Sequence, residues 1–142
     1  MDAYNVLLGE ILIQRKKITR EQLEGALQAQ KEKGGFIGEI LVNSGLLDER
    51  DIVVALVSQC GLPYIAVNKY TIDPWVVRLI PKEVAQKEKV IALDHIGEIL
   101  SVVMVNPLTN DKKNYLETLT KCRIVTFIST KSEIEEAIAR NY

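Results

Sequence analysis

With one histidine and two cysteines in 142 residues, this chain has little from which to build a metal centre or a thiol–imidazole pair. Cys60 and Cys122 are far apart and form no Cys-x-x-Cys motif, which excludes a zinc ribbon and a dithiol redox site. They are expected as reduced thiols in or near the core. No Gly-x-x-x-x-Gly-Lys-[Ser/Thr] loop occurs, so P-loop nucleotide hydrolysis is excluded from these residues. No apolar run approaches the roughly 18–20 residues of a membrane span, and the N-terminus has no signal-peptide core. Cytoplasm is the expected location, with no direct membrane insertion. Charge of one sign is missing too. Residues 1–60 carry seven Lys/Arg against nine Asp/Glu, leaving eleven (18 − 7) against ten (19 − 9) for the remainder. Without a basic face, broad phosphate-driven binding to a nucleic-acid polymer is not expected.

What the chain does have is a repeat. LLGEILIQRKKITREQLEGALQAQ, residues 7–30, is followed by FIGEILVNSGLLDERDIVVALVSQ, residues 36–59. Gly9 and Gly38, Leu12 and Leu41, Ala26 and Ala55, and Gln30 and Gln59 are each 29 positions apart (for example 38 − 9). Shared residues in one register point to a tandem unit.

The pattern predicts four helices arranged as two hairpins over residues 1–60. Val6, Leu7, Ile11 and Leu12 make one face of the first helix. Thr19 with Gln22 reads as a capping box before a second helix, which Gly34-Gly35 ends. Phe36, Ile37, Ile40 and Leu41 form a third helix with Gly45 just past its end, and Asp48 caps a fourth. Each hairpin alone exposes an apolar stripe, so the two are expected to bury each other's. Residues 61–71 read as a linker. Beyond them, residues 72–142 predict a small α/β lobe with a roughly three-stranded sheet. Asp73-Pro74 and Pro81 start short helices. Val90 to Leu93 reads as a strand, 94–97 as a turn and Ile99 to Val105 as its hairpin partner. Asn110 or Asp111 is expected to cap the next helix. Arg123 to Ile128 makes a third strand, and Thr130 with Glu133 a further capping box. The fold class is α+β.

Few residues suggest chemistry. Gly34-Gly35-x-x-Gly38 follows a helix and lacks the P-loop lysine, so a helix stop explains it better. His95 reads as a surface turn residue, Trp75 as a packing residue, and no carboxylate pair stands out for acid–base work. An enzyme is not expected.

The tandem Leu-Gly-x-x-Leu…Gln units resemble the N-terminal domain of type II secretion and type IV pilus assembly ATPases. Ile72-Asp73-Pro74, Leu79 to Ala85, and Met104-Val105-Asn106-Pro107 extend the resemblance across nearly the whole chain, with Asn106 where that family usually has Asp. The resemblance implies a docking or regulatory module. Its partners would be the motor ATPase core and the cytoplasmic domain of an inner-membrane platform protein; a stand-alone adaptor is the variant of that reading. Some family members bind cyclic di-GMP through the tandem motif. Carried over by position, the candidate binding residues are Leu8, Gly9, Leu12, Leu23, Leu27 and Gln30, then Ile37, Gly38, Leu41, Ile52, Leu56 and Gln59. Binding members typically open the motif with Arg, where this chain has Leu7 and Phe36. The mid-motif Gly is Gly45 in the second copy but Lys16 in the first.

Overall fold

The computed structural model describes residues 3–142, with side chains from Leu8 onward except that of Gln59. The side chains of Val6 and Leu7, expected on the first apolar face, therefore lie outside the described residues. The chain divides into two compact units, Met1–Gly61 and Leu62–Tyr142.

The first unit contains α1 (Ala3–Gln14), α2 (Arg20–Lys33), α3 (Ile37–Asn43) and α4 (Glu49–Cys60). Local chemistry sets their ends. Thr19 is extended, its Oγ1 accepts the Gln22 N–H at 3.1 Å, and Gln22 Oε1 accepts the Thr19 N–H at 2.9 Å. The same box recurs 29 residues on (48 − 19, 51 − 22). Asp48 Oδ1 accepts the Asp51 N–H at 3.0 Å and Asp51 Oδ2 accepts the Asp48 N–H at 3.1 Å. Helices α1 and α3 also end alike. Lys16 N–H reaches Ile13 O and Lys17 N–H reaches Leu12 O, while Gly45 N–H reaches Val42 O and Leu46 N–H reaches Leu41 O. This paired 5→2 and 6→1 closure is the Schellman arrangement, and it needs a left-handed residue just past the helix. Lys16 supplies it at φ 60° and Gly45 at φ 77°.

Helix α1 packs on α4 and α2 on α3, so the two hairpins interlock and cover each other's apolar stripes. Ile18 and Leu47, again 29 apart (47 − 18), turn inward from the two loops and are buried. Each aliphatic side chain so buried contributes about 1.5–3 kcal/mol.

The second unit is built on a sheet of order β1-β2-β3, with β1 (Val90–Ile96) antiparallel to β2 (Ile99–Met104) and β2 parallel to β3 (Arg123–Ile128). Helix α7 (Asn110–Thr120) makes the crossover that parallel pairing requires. Helices α5 (Pro74–Val77), α6 (Lys82–Glu88) and α8 (Lys131–Asn141) pack against β1. The cluster they cover includes Ile80, Ile91, Leu100, Val102, Leu116 and Ile134, all essentially without solvent contact. Tyr142 ties the end of α8 to the end of α5 and the loop after it, its hydroxyl donating to Ile80 O at 2.7 Å and Val77 O at 3.1 Å. Burial pushes its pKa up to about 12.

Several sequence expectations change here. Strand β1 runs on through His95 to Ile96, past a bulge between Ala92 and Asp94, and the turn is Gly97-Glu98. His95 is thus a strand residue opposite Leu100, its ring meeting the Trp75 ring edge-on at 5.3 Å. Thr109 caps α7, its Oγ1 accepting the Lys112 N–H, in place of Asn110 or Asp111. Asp73 precedes Pro74 as expected but makes no side-chain cap bond. Cys122 is buried; Cys60 is exposed.

Of the stretch 61–71 expected as linker, residues 62–71 pack as part of the second unit. Pro63 O accepts the Ile128 N–H, the Ile65 N–H donates to Ile128 O, and Tyr64 bridges to Ile128 in parallel. Buried Ser129 donates from Oγ to Ile65 O and accepts the Val67 N–H at 3.2 Å. Val67–Lys69 then forms a short 3-10 turn, over which Arg140 donates to Asn68 O and Tyr70 O. These contacts join residues more than 60 positions apart, and no local pattern announces them.

Candidate functional site

The candidate residues lie along one design carried out twice. In the first hairpin Gly9 faces Leu23, and a Cβ built on Gly9 would stand 2.6 Å from both Leu23 methyls. In the second, Gly38 faces Ile52 with its nearest atom at 3.6 Å. Gly9 therefore admits a side chain from the other helix of its own hairpin, a packing use of the missing Cβ, whereas at Gly38 a Cβ would make only ordinary contact.

Leu8, Leu12, Leu23, Ile37, Leu41, Ile52 and Leu56 are each at most 5% exposed. Gly9 and Gly38 are buried with them, while Leu27 and Gln30 are half-buried. Gln30 Nε2 donates to Gly35 O at 3.0 Å, closing the turn between α2 and α3. The side chain of Gln59 lies outside the described residues. The motif's apolar side chains are thus brought together, but in the interior of the unit. Leu27 and Gln30 are the candidate side chains with partly open surface among those described.

Charged groups surround the first loop. Arg20 makes a two-pronged pair with Glu10 at 3.0 and 3.1 Å, and this hydrogen bond holds the Glu10 carboxyl below its ordinary value. Lys17 Nζ sits 3.2 Å from Asp51 Oδ1, joining the loop of the first copy to the capping box of the second. The Asp48 backbone N–H, opposed by partial burial and helped by Lys17, keeps Asp51 below the usual aspartate value. Two of the basic residues that could stand in for the absent motif arginines, Lys17 and Arg20, therefore already have carboxylate partners. Sequence reading passed over Ile18, Leu47 and Asp51, though the 29-residue offset from one another, or from Gln22, marks all three.

Among the described residues no group of three His, Cys, Asp or Glu side chains could hold a metal ion. No helix among them is long and apolar enough to cross a membrane.

The family model for the MshEN domain matches residues 60–142, more than half of the chain. The chain belongs to the MshEN domain family. The match falls on the second unit and the final residues of the first, and further similarity extends over the tandem hairpins. The type IV pilus assembly ATPase PilB of Myxococcus xanthus is 34% identical over 135 residues, covering 95% of this chain; the chain spans 24% of that relative's length. A solved structure of MshE with cdg (cyclic di-GMP) superposes with a TM-score of 0.75 at 26% identity, covering 95% of this chain and 98% of that one. The N-terminal domain of XpsE superposes with a TM-score of 0.81 over 100% of this chain and 98% of that one, at 17% identity, a likeness of fold. This MshEN domain is thus homologous to part of a type IV pilus assembly ATPase and shares its fold with the N-terminal domain of XpsE.

Proposed function

We propose that this MshEN domain is a non-enzymatic docking and regulatory module of a type II secretion or type IV pilus assembly motor, or a stand-alone adaptor of the same kind. It would work in the cytoplasm and join the motor ATPase core to the cytoplasmic domain of an inner-membrane platform protein. The observation that carries this reading is the burial of the tandem motif. Apart from the half-buried Leu27, its described apolar side chains are consumed by the two hairpins' own packing, which leaves little of the motif open to line a ligand pocket. The test is affinity measurement between the purified domain and a purified platform cytoplasmic domain, without membrane. A saturable complex is expected; none at the highest attainable concentration would overturn the reading.

A second reading is favoured by one observation, the structural likeness to MshE with cdg. Here the tandem motif would bind cyclic di-GMP, with the half-buried Leu27 and Gln30 meeting the ligand. Against it stand Leu7 and Phe36 where binding members carry Arg. Each lost charge-assisted bond to a dianionic ligand costs about 1.5–3 kcal/mol, more than tenfold in affinity. Calorimetric titration decides between the readings. The docking reading expects no heat of binding with Kd near ~1 µM; a clear isotherm there establishes the second.

A further inference from the structure

Helices α6 and α7 enclose a cleft of about 390 Å³ in the second unit, a size that accepts a ligand or a large anchoring side chain. Positions four apart on a helix share a row, and each helix presents two such rows. On the inner rows stand Val84 and Glu88 of α6 and Lys112 and Leu116 of α7. Glu88 and Lys112 meet at 2.9 Å, with Glu88 only 15% exposed, and so pin the two walls together. Leu108, from the loop before α7, joins Val84 and Leu116 to give an apolar floor. The outer rows are Glu83 and Lys87 on α6 and Asp111 and Tyr115 on α7. Tyr115 is 53% exposed.

The charges on this rim are unbalanced. Glu88 and Lys112 neutralise each other. Among the described residues neither the Glu83 nor the Asp111 carboxylate has an ion pair or a hydrogen bond, and both face the same cleft. Lys87 opposes them alone, leaving the rim net negative. A phosphorylated ligand is repelled by such a rim. A cation that also brings apolar surface is attracted, and it satisfies carboxylates that would otherwise be desolvated without a partner.

We propose that this cleft is the docking site for a helical segment of a partner protein. The segment would carry an aliphatic anchor side chain with Arg or Lys one helical turn away. The anchor rests on Val84, Leu108 and Leu116, the cation meets Glu83 and Asp111, and the Tyr115 ring covers the contact. This is helix-in-groove recognition with an aromatic residue at its edge. The proposal rests on the docking role above and adds the surface and the chemistry of what docks there.

Two helical peptides, identical except for Arg or Glu one turn after a single Leu, provide the test by NMR titration of the 15N-labelled chain. The Arg peptide is expected to shift the amides of Glu83, Val84, Asp111 and Tyr115, with the Glu peptide at least about tenfold weaker. Combining Glu83→Lys with Asp111→Lys should reverse that preference. Equal binding of the two peptides, shifts centred elsewhere, no shifts, or an unchanged preference in the double variant would each overturn the proposal. The platform cytoplasmic domain separates this proposal from the reading beneath it. If the domain binds the wild type and both the double lysine variant and Tyr115→Ala bind within about twofold of it, the cleft is wrong and the docking role stands. If it does not bind the wild type, the docking role fails, and the peptide result still decides whether the cleft accepts such a helix.

Discussion

In the first hairpin Gly9 is pressed so close to Leu23 that a Cβ would overlap both methyls, whereas 29 residues later Gly38 leaves ordinary contact distance to Ile52. The loops differ in the same spirit. Lys16 and Gly45 close their helices with one backbone geometry, although one has a side chain that disfavours it. The capping boxes pair Thr19 with Gln22 in one copy and Asp48 with Asp51 in the other. What the copies share is therefore a set of backbone positions and buried contacts, and different side chains meet each requirement. A motif read as a row of residue types conceals which of them are under strain.

The sharpest test of that comparison is alanine at the two glycines. Gly9→Ala forces Leu23 out of a packed position and should destabilise the first unit by about 1–3 kcal/mol. Gly38→Ala meets no such obstacle and should be neutral or gain up to about 1 kcal/mol from helix propensity. Urea denaturation followed by helical circular dichroism reads both, and equal losses would show that the hairpins are packed alike.

The left-handed loop positions give the next largest effect. Lys16→Gly relieves a conformation that L-residues adopt at a penalty of about 1–2 kcal/mol, so stability should rise by about 1 kcal/mol. Gly45→Lys imposes the same penalty and should lower stability by a similar amount. The double exchange should return close to wild type in thermal midpoint. A midpoint that moves the same way for both single variants would break the equivalence of the two loops.

Acid distinguishes the copies more gently. Asp51 has a lowered pKa, so its contribution is complete above the ordinary aspartate value of about 4 and is lost as pH falls through its folded value. The Thr19–Gln22 box carries no titrating group. Amide exchange at the start of α4 should therefore accelerate relative to the start of α2 below about pH 4. Asp48→Thr combined with Asp51→Gln should remove the difference. The exposed Glu10–Arg20 pair, also acid-labile, is a surface contact of small worth. An α4 start no more acid-sensitive in the wild type than in the variant would show that the aspartate box is not what supports it.

Much of this fold could be read from local signals. The Thr19 and Thr130 boxes, the stop at Gly34, the left-handed Gly45 and the strand Arg123–Ile128 all stand where the sequence pattern puts them. Each depends on residues within a few positions of one another. The errors have another origin. His95 resembled a turn residue because a bulge after Ala92 interrupts the alternation that reveals a strand. Residues 62–71 resembled a linker because their partners, Ile128, Ser129 and Arg140, lie at the far end of the chain. The candidate site was legible as a pattern and illegible as a surface. A leucine at helical spacing says which face is apolar, and the helix packed against that face decides whether any of it remains for a ligand.

By itself, then, the sequence determined several helix ends, among them the capped starts at Thr19, Asp48 and Thr130, with the 29-residue tandem unit and the α+β class, because capping bonds and hydrophobic periodicity act over a few residues. The interlocked hairpins, the incorporation of residues 62–71 into the second unit and the acidic cleft between α6 and α7 were decided by the tertiary structure. Burial and the pairing of charges across elements depend on which distant surfaces meet, and short-range spacing carries no record of that.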